Sequence, residues 1–253
     1  MLKPKKSLGQ HFLRDQNIIR KIAGALNAGQ EDIIVEIGPG EGALTDFLYP
    51  NFKNLHLIEV DSRAVDILNR KFPDATVHHT SVLEGDWQTT LPALGKKYII
   101  GNLPYYITSP ILFKVLDAAG YYEQAVFMIQ KEVAERLVAK PRTKAYGILS
   151  VQTQLFSNPE LLFAVSREVF YPKPNVDSAV ISIIPKKTQP DVDITFLKTV
   201  IRTAFNQRRK KLSNAISALI TDASRVTIDL NKRAEELEPE EFVELAKTLL
   251  TKS

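Results

Sequence analysis

The sequence predicts an α/β protein: a doubly wound, mostly parallel sheet followed by a small all-helical C-terminal domain. Three observations carry that expectation. Short runs rich in Ile and Val alternate with helical patterns through the first half of the chain. A glycine-rich turn follows the first of these runs and opens a helix. Beyond Pro185 the strand pattern stops and a helical stripe replaces it.

In order, Asn17 to Leu26 sets Ile18, Ile19, Ile22, Ala23 and Leu26 on one helical face, and a strand follows at Ile33 to Ile37. The glycines of GPGEGALTDFL then give way to a helical pattern running towards Tyr49. The alternation continues through strand Leu55 to Val60, helix Arg63 to Lys71, strand Thr76 to His79, strand Tyr98 to Gly101, helix Pro110 to Ala119 and strand Gln124 to Ile129. Such repetition implies parallel pairing. Ile148 to Phe156 and Ser178 to Ile184 read as two further strands that close the sheet in antiparallel fashion, with a proline-rich loop at Phe170 to Asn175 between them. KKTQPDVD is polar and turn-like, which places a boundary near residue 186 and divides the chain into 1–186 and 187–253. Past it, Leu197, Val200, Ile201, Ala204, Phe205, Leu212, Ile216 and Leu219 form one stripe. A last helix starts at Pro239, where Glu240 and Glu241 complement the positive end of the helix dipole.

Composition narrows the function classes. The 253 residues are 44% hydrophobic and 25% charged, an ordinary globular balance, with no stretch near the roughly 20 apolar residues of a membrane span. The start has basic residues but no apolar segment behind them, so a cytoplasmic protein is expected. With no cysteine, disulfides, thiolate zinc sites and cysteine nucleophiles are excluded, and four scattered histidines make no metal site expected. Net charge is only +4, but its placement is informative. Lys3, Lys5, Lys6, Arg14, Arg20 and Lys21 face only Asp15, and Lys198, Arg202, Arg208, Arg209, Lys210 and Lys211 form an acid-free stretch. Two basic patches suggest a nucleic-acid footprint.

In VEIGPGEG, Gly38, Gly40 and Gly42 sit at a strand-to-helix turn where missing side chains let the backbone approach a ligand. Glu59 ends the next strand about 20 residues on, where a carboxylate can accept from both hydroxyls of a ribose. Together they indicate an adenosine-containing cofactor. Glu36, two residues before the turn, can orient an ammonium-bearing tail, which favours S-adenosylmethionine over NAD. Sites of this class commonly place an acid after the third strand, against the adenine. Here HHTSVLEGDW offers Ser81, with Asp86 five positions later a lesser replacement.

The segment Gly101-Asn102-Leu103-Pro104-Tyr105 follows the fourth strand, at the carboxyl end where ligands sit in such sheets. Its residue types suit an exocyclic amine. Adenine N6 is a poor nucleophile because its lone pair is delocalised into the ring. Acceptors aimed at its hydrogens favour the pyramidal form, and the Asn102 side-chain oxygen and Leu103 carbonyl can supply them. Pro104 fixes the turn and Tyr105 offers a stacking face for an extruded base. In the second loop, Val169 to Val176, Phe170 can meet the base's other face on a proline-stiffened backbone.

These segments together resemble the ribosomal RNA adenine dimethyltransferase family, specifically its KsgA/RsmA branch, over nearly the whole chain. The matching stretches are SLGQHFL at 7–13, EIGPGEGALT at 36–45, IEVD at 58–61, GNLPY at 101–105, FYPKPNVDSAV at 170–180 and AFNQRRKKLSNAI at 204–216. The resemblance implies a Rossmann-like S-adenosylmethionine-dependent methyltransferase sheet with a helical RNA-binding domain. It also implies dimethylation of two adjacent adenosines near the 3′ end of 16S ribosomal RNA in a small-subunit precursor. The sequence itself does not show the oligomeric state, for which a monomer is the expectation. Cofactor contacts then fall on His11, Leu13, Gly38, Gly40, Glu59 and Asn102, with Ser81 departing from the family's acid. Arg202, Arg208, Arg209, Lys210 and Lys211, expected on a helix, can hold phosphates without reading sequence. Erm-type enzymes share NLPY-like loops but act on large-subunit RNA, and RRKKLSNAI with VDSAV resembles them less well. The rival readings are the same chemistry on 23S RNA or DNA, and a ribosome-assembly factor with dispensable catalysis.

Overall fold

The fold is described from a computed structural model, which covers residues 2, 5, 9–85, 87 and 91–250. Lys3, Lys6 and Asp86 therefore lie outside the described residues. In chain order the strands are β1 (Phe12–Leu13), β2 (Ile33–Ile37), β3 (Asn54–Glu59), β4 (Thr76–His79), β5 (Lys97–Asn102), β6 (Gln124–Gln130), β7 (Ser157–Val165), β8 (Phe170–Tyr171) and β9 (Ser178–Pro185). The α-helices are α1 (Gln16–Ala23), α2 (Thr45–Leu48), α3 (Ser62–Lys71), α4 (Thr108–Asp117), α5 (Lys131–Leu137), α6 (Ile148–Phe156), α7 (Ile194–Asn206), α8 (Leu212–Ala215) and α9 (Pro239–Leu250).

Seven strands form one sheet in the order β4-β3-β2-β5-β6-β9-β7. The pairs from β4 to β6 are parallel, and β9 runs antiparallel to β6. All five residues of β2 are buried, as a central parallel strand covered on both faces requires. From β2 the chain proceeds to β3 on one side and later to β5 on the other, so the strand order reverses between β2 and β5. Ligand crevices in doubly wound sheets open at that point, beyond the carboxyl ends. Register aligns those ends: Ile37 lies opposite Ile58, one residue before Glu59, and Asn102 lies opposite Met128.

One sheet face, with Ile34, Leu57, Ile100, Val126 and Met128, packs on Ile19 and Ile22 of α1, Leu48 of α2 and Leu68 of α3. Removing one such side chain back to alanine typically costs about 2–5 kcal/mol. Helix starts are fixed by capping: Asp15 Oδ1 accepts from Asn17 N (2.8 Å) and Ile18 N (3.1 Å), and Asp61 caps α3 through Arg63 N.

The chain forms two compact units. The first holds the described residues up to Ala134 with Pro159–Pro185; the second holds Glu135–Asn158 with the described residues from Lys186 onward. The second unit is centred on Tyr146, Leu197, Ile201, Leu212, Phe242 and Leu245, and Tyr146 donates its hydroxyl to Leu237 O at 2.8 Å. A simple division at 186 thus leaves out a segment, 135–158, that packs with the later helices.

Two expected elements are corrected. Ile148 to Phe156 is the helix α6, and the edge strand is the following segment, Ser157–Val165. In α6, Ser150, Val151, Gln152, Thr153, Leu155 and Phe156 are all buried, so the segment shows no one-sided stripe and its nine residues pass for a strand. Pro159 weakens the strand signal of β7, yet an edge strand tolerates it. The basic tract is also not helical throughout. α7 stops at Asn206, and Lys211 pairs with Arg233 in an antiparallel bridge before α8 begins at Leu212.

Candidate active site

Strand β2 ends at Ile37, and the turn beyond it needs the left-handed conformation at Gly38 (φ 67) and Gly40 (φ 58). A β-carbon on Gly38 would meet nothing within 4 Å, so its absence leaves open space, and Gly38 lines a cavity of about 140 Å³. Gly40 N donates to Glu59 Oε2 at 3.0 Å, while Val60 N (2.8 Å) and Asp61 N (2.9 Å) donate to Oε1. Three backbone N–H groups thus hold a buried carboxylate at the cavity wall before any ligand arrives.

Glu36 also lines this cavity and is 2% exposed. Burial pushes its carboxyl up to about 8; the bond from Thr45 Oγ1 (2.7 Å) opposes the shift, and the charges of Glu59 and Asp46 add to it. A carboxyl so desolvated gains most from an arriving cation. The three features fit an adenosine-bearing, ammonium-bearing cofactor: bare backbone at Gly38, a fixed acceptor at Glu59 and a cation-seeking group at Glu36.

Beyond β5, Asn102 Nδ2 donates to His11 O at 3.1 Å. A carbonyl can only accept, so this bond fixes the amide's orientation and turns Oδ1 elsewhere as an acceptor. Leu103 N donates to Met128 O (3.0 Å), and Pro104 O accepts from Thr108 Oγ1 (3.0 Å) at the start of α4. Tyr105 is locked at its hydroxyl by Ser178 Oγ (2.7 Å), and burial raises its pKa. Its ring lies 5.5 Å from that of His11, tilted by 30°. His11 Nδ1 lies 2.7 Å from Pro172 O, which makes that nitrogen the protonated one.

The cavity wall therefore brings together His11, Leu13, Gly38, Gly40, Glu59, Ser81, Asn102, Leu103, Pro104 and Tyr105. Ser81 Oγ accepts from Leu83 N at 3.3 Å and so also serves its own turn. Phe170 is placed otherwise. Its ring is buried in the core, 5% exposed, opposite Leu13 in the β1–β8 ladder and outside the cavity lining. The alternation of β8 turns Phe170 inward and Tyr171 outward.

The sequence pattern assigns no role to two further contributors, Lys114 and Asp61. Lys114 on α4 donates to Leu83 O (2.8 Å) and to Gly85 O, holding the turn after Ser81. Asp61 is buried; Arg63, Gln10 and Lys5 all donate to its carboxylate, and the bonds from Arg63, foremost, and Gln10 hold it well below the usual range. It ties the N-terminal segment to the end of β3.

In the second unit, Arg202, Arg209 and Lys210 are exposed. Arg208 instead pairs with Glu235 and donates to Thr143 O and Lys144 O, both at 3.1 Å. Lys211 Nζ donates to Asn231 Oδ1 at 3.0 Å. Among the described residues no group of three or more acidic or histidine side chains could hold a metal, and no helix is long and apolar enough to cross a membrane.

The family described as Ribosomal RNA adenine dimethylase matches residues 1–251. The chain is 46% identical over 252 residues to Ribosomal RNA small subunit methyltransferase A of Salinibacter ruber, covering 98% of this chain and 85% of that protein. It is 45% identical to the protein of that name from Chlorobium phaeobacteroides, covering 97% and 93%. Among solved structures it resembles a dimethyladenosine transferase from Plasmodium falciparum, with a TM-score of 0.80, 26% identity and coverage of 93% and 96%. It also resembles the 23S rRNA methyltransferase ErmE, with a TM-score of 0.67, 25% identity and coverage of 94% and 99%.

Proposed function

The chain belongs to the ribosomal RNA adenine dimethylase family, and we propose that it dimethylates the N6 atoms of two adjacent adenosines near the 3′ end of 16S ribosomal RNA in a small-subunit precursor. It is an S-adenosylmethionine-dependent adenine dimethyltransferase of ribosomal RNA. The observation that carries the reading is the Asn102 amide, oriented by His11 O in the same cavity as Glu59 and Gly38.

When bound, S-adenosylmethionine would be held through Gly38, Gly40, Glu59, Glu36 and Ser81 and would supply an electrophilic methyl group, departing as S-adenosylhomocysteine when the C–S bond breaks. The remaining steps belong to the chain. Asn102 Oδ1 and the Leu103 carbonyl accept the N6 hydrogens, which draws the lone pair out of conjugation with the ring; once the N–C bond has formed, N6 sheds one of these hydrogens as a proton. Tyr105 stacks on the extruded base, its ring steadied by Ser178 and His11. Apolar walls at Leu13, Leu103 and Ile107 exclude water, and approach in line accounts for much of the rate. The monomethylated product keeps one N–H, enough for one acceptor to align a second transfer. Two adenosines then require four transfers. Arg202, Arg209, Lys210 and Lys211 supply phosphate contacts, whereas Arg208 chiefly braces the second unit. The enzyme acts in the cytoplasm, where its substrate is assembled.

Labelled methyl transfer to unmethylated small subunits, large subunits and duplex DNA in parallel tests the polymer. Incorporation confined to small subunits is expected; preferential labelling of large subunits or DNA overturns the small-subunit assignment.

A further inference from the structure

Two exposed tyrosine rings stand beside the machinery described above, and the reaction as derived uses neither. Tyr106 is 57% exposed and Tyr171 is 54% exposed. Each ring is backed on one side. A β-carbon on Gly9 (φ 55) would lie 2.9 Å from Tyr106 Cδ1, so this ring rests against bare backbone. The Arg14 guanidinium lies 4.4 Å from the centroid of the Tyr171 ring.

Both rings are tied to the segment that shapes the base site. Tyr106 follows Tyr105 in the 3-10 turn Tyr105–Ile107 and lines the cavity. Tyr171 lies opposite Phe12 in the β1–β8 ladder. Gly9 and Phe12 bracket His11, whose carbonyl orients Asn102 and whose ring meets Tyr105. A base extruded into the cavity leaves its chain neighbours unstacked but tethered by one phosphodiester each. Such bases gain by meeting an aromatic face, and the cation beside Tyr171 suits the accompanying phosphate. The chemistry matches a single-stranded RNA segment better than a duplex, whose bases offer no free faces.

We propose that Tyr106 and Tyr171 are stacking platforms for the nucleotides flanking the target adenosine in a single-stranded RNA segment. This rests on the reading of the cavity as an adenosine methylation site. With one of two adjacent adenosines in the cavity, its neighbour occupies a platform and is already held for the next exchange.

The test uses the full-length protein and a single-stranded oligoribonucleotide with 2-aminopurine next to one adenosine, since stacking on an aromatic ring quenches that fluorophore. Wild type is expected to quench it. Tyr106→Ala and Tyr171→Ala should each reduce the quenching by about threefold or more, while Tyr106→Phe and Tyr171→Phe restore it. Absence of quenching by wild type, or equal quenching by wild type and both alanine variants, overturns the proposal. So does a loss that phenylalanine does not rescue, because that loss belongs to the hydroxyl. Methyl transfer by wild type is scored separately: tyrosine-dependent quenching without dimethyladenosine removes the catalytic reading and leaves the platforms standing, and the converse removes only the platforms.

Discussion

At the scale of single residues, the chemistry rests on acceptors whose direction is set by neighbours. The placement of Glu59 and Glu36 at the cavity wall was legible in their spacing from the glycine turn. The bond between Asn102 and His11 joins positions 91 apart and has no local signature, so sequence supplied the participants and not their orientation. Phe170 shows the reverse failure: a proline-rich loop suggests presentation, but strand alternation turns the ring into the core. Glu36 carries a pH prediction. Its folded-state pKa, about 8, stands above the ordinary 4.5. The stability it contributes is therefore full below the unfolded value and is lost as pH rises through the folded one. Glu36→Gln keeps an acceptor for Thr45 and removes the titration. Without cofactor, the variant should gain on wild type by a few kcal/mol between about pH 5 and pH 9 in denaturant unfolding. Parallel pH profiles for the two proteins would remove the buried, protonated carboxyl from the account.

At the scale of elements, the β-α alternation of the first unit was readable because each strand is an Ile- and Val-rich run and each helix shows a stripe. α6 was not, since a helix buried on nearly all sides loses the periodicity that identifies it. The break in the basic tract has no signature for a related reason: charge pattern says nothing of the bridge between Lys211 and Arg233 that lies between α7 and α8. The turn from Ser81 to Gly85 is the element most open to improvement. Lys114 already holds it, and Ser81 lines the cavity with a neutral hydroxyl where the family pattern has an acid. Ser81→Asp should tighten S-adenosylmethionine by roughly tenfold, the range of a charge-assisted hydrogen bond. Calorimetric titration showing equal or weaker affinity would mean that this turn does not meet the adenine.

At the scale of the whole molecule, the sequence marked the change of character near residue 186 but not the early contribution of Glu135–Asn158 to the second unit. Periodicity reports local structure, whereas membership of a compact unit is decided by contacts such as Tyr146 with Leu237 that span much of the chain. The proposed constellation is assembled from five well-separated stretches around the switch between β2 and β5. Their common position at the carboxyl ends of the strands makes one cofactor cavity and one base site the same cavity. The role proposed for this cavity is dimethylation of adenine N6 with Asn102 as acceptor. It is tested most directly by nucleoside analysis of unmethylated small-subunit RNA after incubation with S-adenosylmethionine and either wild type or Asn102→Ala. Wild type is expected to yield N6,N6-dimethyladenosine and the variant at least about a hundredfold less. Methylation at another base atom, or undiminished dimethyladenosine from Asn102→Ala, would contradict it.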